Sequence, residues 1–144
     1  MAEDMSHWTQ RPKPPGTALQ GRLVRLEKLA PSHGAGLYAA SAVANAPEKF
    51  RWLYETPPQD QTSFQAWVQT ASASADPLFY AVIDKASGAV AGRESLMRID
   101  AANGVIEVGN IYWGPLMAAK AQATEALSLF AAHVFEDLGY RRFE

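Results

Sequence analysis

The chain has 144 residues, 48% of them hydrophobic, with 13 Lys and Arg against 15 Asp and Glu, a formal net charge of −2 and no cysteine. That length is one domain's worth, and a slightly acidic chain has no surplus of cations for a nucleic-acid backbone, so nucleic acid is not expected as a partner. The lack of cysteine excludes disulfides, thiolate metal sites and a cysteine nucleophile, and no apolar run is long enough to cross a membrane.

Met1 to Gln20 carries Pro12, Pro14, Pro15 and Gly16 among polar residues, which predicts an extended arm over residues 1–20. Trp8 is expected to pin that arm on the domain or on a second subunit, because a mobile Trp exposes costly apolar surface. No basic segment followed by an apolar core opens the chain, so a cytoplasmic location without a membrane partner is expected.

The domain then occupies residues 21–144. Leu23, Val24 and Leu26 alternate with charged residues from Gly21 to Lys28 and predict a half-buried strand. Pro31 and Ser32 fit a helix start, and an alanine-rich helix through residues 37–42 ends before Pro47. Phe50, Trp52 and Tyr54 form an aromatic cluster ended by Pro57 and Pro58. Asp60 is placed to cap a second helix whose Phe64, Trp67, Val68 and Ala71 share one face.

Three strands follow, at 78–84, 89–99 and 105–113, joined by Lys85-Ala86-Ser87-Gly88 and by Asp100-Ala101-Ala102-Asn103-Gly104. Both joints have hairpin-turn chemistry, so the strands are predicted to form an antiparallel meander. Beyond Gly114-Pro115-Leu116-Met117-Ala118-Ala119-Lys120, apolar residues at Ala123, Leu127, Phe130, Val134 and Leu138 draw a helical stripe. Gly139 is expected to close that helix in a left-handed conformation, and Tyr140 to Glu144 to open a parallel strand. The fold class predicted is α/β (α+β): a mixed sheet, an antiparallel meander followed by a βαβ crossover, with helices on both faces.

A strand, a small-residue turn and a helix head together present backbone N–H groups and the positive end of a dipole, which suit a phosphate or pyrophosphate. Ile106, Glu107, Val108, Gly109, Ile111 and Pro115, followed by Ala123-Thr124-Glu125-Ala126, carry a closer likeness. With Gly21-Arg22-Leu23-Val24-Arg25-Leu26, the stretch 76–82 and Leu138-Gly139-Tyr140-Arg141-Arg142, this chain resembles the GNAT superfamily of acetyl-CoA-dependent N-acetyltransferases, in its ribosomal-protein acetyltransferase branch. The superfamily's loop reads Gln/Arg-x-x-Gly-x-Gly/Ala. Ala118, Ala119, Lys120, Ala121, Gln122 and Ala123 stand there, without the leading polar residue and first glycine.

The resemblance implies acetyl-CoA as co-substrate, its pyrophosphate held by Ala118 to Thr124 and its pantetheine arm by the backbone of Asn110, Ile111 and Tyr112. Thr124 could instead bond back to its own helix. Glu107 is implied as the general base that takes a proton from the acceptor ammonium; read as a residue alone, it fits a structural ion pair with Arg93, Arg98 or Arg142 better. Trp52 and Tyr54 are implied at the acceptor groove, although packing explains them as well. Asn110, expected on one face with Val108 and Tyr112, is a further contact to the acceptor.

His7, His33 and His133 have no metal or triad spacing and are read as structural; Met97 and Met117 as core fillers. No metal is expected, and neither dinucleotide nor nucleoside-triphosphate fingerprints occur. The resemblance thus implies an N-acetyltransferase acting on a small-molecule or peptide amine. The alternative is a catalytically incomplete CoA-binding or assembly module, since members of the superfamily continue beyond the point matched by Glu144. On that ground the domain is expected to be C-terminally incomplete, and the chain to be a homo-oligomer, at least a dimer.

Overall fold

The computed structural model describes residues 8–43, 58–118 and 120–144. Strands β1 (Leu19–Gln20), β2 (Val24–Lys28), β3 (Leu78–Asp84), β4 (Val90–Asp100), β5 (Val105–Trp113) and β6 (Arg142–Phe143) form one sheet in sequence order. The first five are antiparallel, and β6 joins β5 in parallel with Val105 beside Arg142 and Ile106 beside Phe143. Helix α1 (Gly34–Ser41) follows a 3-10 turn at Pro31–His33, α2 (Gln61–Ser72) precedes β3, and α3 (Ala121–Ala132) carries the chain from β5 to β6. This is the predicted mixed α/β fold, with meander and crossover. Trp52, Tyr54 and Ala119 lie outside the described residues.

All seven residues of β3 are buried, because its two faces serve different cores. Leu78, Tyr80 and Val82 pack with Leu26, Leu96, Ile106, Ala126, Phe130 and Val134 beneath α3. Phe79, Ala81 and Ile83 pack with Leu37, Phe64, Val68 and Ala71 beneath α1 and α2. Helices therefore cover both faces, and an alternating strand reads as a continuous apolar run.

Local chemistry sets the ends of these elements. The Asp60 carboxylate accepts from Ser63 N–H at 2.7 Å, an N-cap on a helix whose predicted stripe faces the second core. Gly139 takes φ +72 after α3, which widens into a π turn at His133–Asp137. Along α3 the inward stripe runs through Ala126, Phe130 and Val134, whereas Leu127 is half-buried.

The arm lies against its own domain. Trp8 Nε1 donates to the Ala102 carbonyl at 2.8 Å, and Arg11 stacks on the Trp8 ring while donating to the Gly139 carbonyl. Tyr140 and Tyr80 give their hydroxyl hydrogens to Pro12 and Thr17 carbonyls. The last two residues of the expected arm are β1 itself.

Candidate cofactor and catalytic site

Strand β5 carries one residue too many opposite β4. Arg93 pairs with Tyr112 and Ser95 with Gly109, so Glu94 alone faces both Asn110 and Ile111. Asn110 takes φ +51, a left-handed conformation that asparagine tolerates better than most residues.

The bulge reverses the alternation of side chains. Val108 packs with the core under α3. Tyr112 turns to the other face, where its hydroxyl donates to the Ala40 carbonyl of α1 at 2.8 Å. The expected common face of Val108, Asn110 and Tyr112 is therefore corrected: the extra residue flips the chain between them.

Counting from Ile106, which lies in the α3 core, alternation puts Glu107 on the α1–α2 side with Gly109 and, past the bulge, Tyr112. Its Oε2 is 3.5 Å from Arg98 Nη1, with the two side chains 28% and 68% exposed. A pair so open to water is worth about 0–1 kcal/mol, which leaves the carboxylate accessible to a stronger partner. Arg142 pairs instead with Glu144 at 2.7 Å. Arg93 is buried, its guanidinium 4.3 Å over the Trp67 ring.

After β5, Gly114 N–H donates to the Ala91 carbonyl, and Met117, fully buried, anchors the loop from below. Lys120 is the N-cap of α3 and supplies no side-chain cap. The first N–H groups of a helix lack partners within it, so this head can offer donors to an anion. Lys120, Ala121 and Thr124 are exposed there, Ala118 and Gln122 are half-buried, and Ala123 packs on the core. The Ala123 N–H already donates to the Lys120 carbonyl at 3.1 Å.

Two carboxylates at this end of the sheet were not singled out from sequence for these roles. Glu125 Oε1 accepts from Leu23 and Val24 N–H at 2.7 and 2.8 Å, tying α3 to the turn before β2. Burial alone would raise its carboxyl, but the backbone donors of Val24, Leu23 and Arg22 together outweigh that and hold it below the ordinary range. Asp84, at the end of β3, is held below its ordinary range chiefly by the Ser87 hydroxyl, against burial, with Ser87 N–H, the Gln122 side chain and the Lys120 charge adding. A negative group therefore faces the polar side chains of the helix head.

His33 and His133 each use Nδ1 close to home in sequence. His33 Nδ1 accepts from Ala30 N–H at 3.0 Å, and His133 Nδ1 lies 2.8 Å from Asp137 Oδ2. Among the described residues no group of three His, Cys, Asp or Glu could hold a metal ion. Among them, too, no helix is long and apolar enough to cross a membrane.

A family model described as an acetyltransferase (GNAT) domain matches residues 24–144. Among solved structures, a GCN5-related N-acetyltransferase from Brucella melitensis is 58% identical, with a TM-score of 0.93 over 95% of this chain and 62% of that one. A GNAT-family protein from Chromobacterium violaceum ATCC 12472 is 29% identical, with a TM-score of 0.86 over 99% of this chain and 71% of that one. The ribosomal L7/L12 alpha-N-protein acetyltransferase RimL shares the fold, at 16% identity and a TM-score of 0.69 over 88% of this chain and 69% of that one. No curated protein is a significant match to the chain. The chain spans 62% of the length of the Brucella protein. With the family model covering all but the first 23 residues, the bulged strand and helix head described above belong to a GNAT acetyltransferase domain: this chain is a member of that family.

Proposed function

We propose that this chain forms the core of an N-acetyltransferase that moves an acetyl group from acetyl-CoA to a primary amine, a protein N-terminus or a small molecule, by direct attack. The observation that carries this reading is a bulged β5 running through Gly114 into a helix head without a side-chain cap, in a chain that matches the family over residues 24–144.

Acetyl-CoA supplies the thioester acyl group. The chain's own part would be divided along β5 and α3. Backbone groups at Asn110, Ile111 and Tyr112 would line the pantetheine arm, and Lys120, Gln122, Thr124 and the N–H groups of Ala121 and Gln122 would hold the phosphates. The exposed Lys120, Ala121 and Thr124 fit a solvent-facing anion. The Asp84 carboxylate opposes it, so binding is expected to be weak. Glu107 would take the proton that an acceptor ammonium must lose before its nitrogen has a lone pair, a step worth about 10²- to 10⁴-fold. Trp52 and Tyr54 are proposed to contact the acceptor; Asn110 is not, since its Oδ1 is buried opposite Glu94 and away from the face of Glu107.

A cytoplasmic location and a second copy of this chain as partner complete the proposal. Trp8 is engaged on its own domain, so the surface proposed for the second copy is the Phe135–Phe143 pair, where Phe135 is 47% exposed. The other reading, a CoA-binding or assembly module without turnover, is favoured by the Asp84 carboxylate at the helix head. Titration calorimetry and thermal shift with CoA test the cofactor assignment. Heat and a raised Tm at about 1 mM CoA are expected for a ligand that binds the folded state. A folded sample showing neither would overturn it, and binding without acetylation of any amine offered would select the second reading.

A further inference from the structure

Glu94 is completely buried in β4, on the face that packs beneath α3. Among the described residues neither of its oxygens has a hydrogen-bond partner, and neither does the buried Oδ1 of Asn110, the residue set opposite it by the bulge. These three atoms are all acceptors. Buried polar atoms without partners are rare enough in native chains to require a physical reason.

Among the described residues no charge nearby supplies one. Arg93, next in the chain, points to the opposite face and stacks on Trp67 and Phe79. Tyr80, opposite Glu94 on β3, gives its hydroxyl hydrogen to the Thr17 carbonyl. On α3, Glu125 is committed to Leu23 and Val24, and beyond the end of that helix His133 Nδ1 faces Asp137 while its buried Nε2 has no partner among the described residues. Lys120 is exposed at the helix head, and on β5 Glu107 lies on the other face beside Arg98. An ionised carboxylate enclosed without a cation is costly, so the group keeps its proton, and burial pushes this carboxyl up to about 9. A neutral acid then brings the one donor that is missing.

We propose that Glu94 is a positioning residue: its un-ionised carboxyl donates to Asn110 Oδ1, directly or through one buried water, and this proton-held strut fixes the left-handed bulge that presents β5 to the acyl donor. Opposite residues of an antiparallel pair have Cβ atoms about 5 Å apart, within reach of such a link. The purpose assigned to the strut rests on the function proposed above; its existence does not.

The sign of the pH effect follows. The folded chain keeps a proton that the unfolded chain releases above the ordinary value of 4.5, so stability falls as pH rises from there to about 9 and levels off beyond. Glu94→Gln keeps an N–H donor and cannot ionise. Infrared spectroscopy on the whole chain should show the carbonyl band of an un-ionised carboxylic acid at neutral pH, lost in Glu94→Gln and moved to higher frequency in Asn110→Ala, where its acceptor is gone. Glu94→Gln should flatten the decline of Tm between about pH 5 and 9, and should remove any loss of CoA affinity on the alkaline side. No such band in the unsubstituted protein, or a band indifferent to Asn110→Ala, overturns the strut. Because the infrared and Tm readouts need no CoA, a chain that fails to bind CoA sinks the functional reading alone.

Discussion

Among the described residues, Arg98 at φ +47 and Asn110 at φ +51 are the non-glycine residues in left-handed backbone, and each sits in a two-against-one bulge between β4 and β5. At the first bulge Arg98 and Ile99 face Ile106, and both of their N–H groups donate to the Asp76 carboxylate at 2.9 Å. At the second, Asn110 and Ile111 face Glu94, and side-chain acceptors on both strands are left over. The backbone device is the same. At the first bulge a carboxylate of the same chain takes both N–H groups; at the second the leftover atoms are acceptors that join only through the proton proposed on Glu94, and the strand runs on through Gly114 toward the helix head.

The sharpest way to separate the two is to weigh chemistry against stability. Glu107→Gln, three residues from the second bulge, should lower turnover by about 10²- to 10⁴-fold with CoA affinity nearly unchanged, as expected when only proton transfer is lost. A rate unchanged across neutral and alkaline pH would remove Glu107 as base. Asp76→Ala should do the reverse at the first bulge: two N–H groups lose a charged acceptor, for about 2–3 kcal/mol of stability by chemical denaturation, with CoA affinity intact. A loss of CoA binding in that variant, with the fold retained, would show that the bulges are not independent.

Two smaller effects refine the contrast. Asp60→Ala, remote from both bulges, should lower the Tm modestly through its lost N-cap and leave every ligand property alone. Asp84→Asn removes the negative group beside Lys120 and Gln122 and should tighten CoA binding by a few-fold, most visibly at low salt. Unchanged affinity there would show that Asp84 does not oppose the phosphates.

What was legible in the sequence was whatever depends on near neighbours in the chain. Asp60 caps Ser63 three residues on, Gly139 closes α3, and the Lys85–Gly88 and Asp100–Gly104 turns join strands adjacent in order. The strand, loop and helix from Ile106 to Ala126 were legible as a motif. The bulges were not, because register is a relation between two strands and no single strand carries it. Asn110 within a β-branched run was a signal left unread, and so was Glu94, two residues from both Gly92 and Leu96 and therefore on their inward face. The meeting of Asp84 with Lys120 and Gln122 joins segments distant in sequence, which periodicity cannot supply. The stripe turns inward at Ala126 and not at Leu127, a shift of one residue that a 3.6-residue period accommodates.

The claim that the second bulge and the helix head form one cofactor site is tested most directly by amide chemical-shift mapping during a CoA titration of the isotopically labelled chain. The expected result is a contiguous set of perturbed amides from Asn110 to Tyr112 and from Lys120 to Thr124, with Arg98 and Ile99 unmoved. Perturbation centred on Arg98 and Ile99, or no perturbation at saturating CoA, would contradict it.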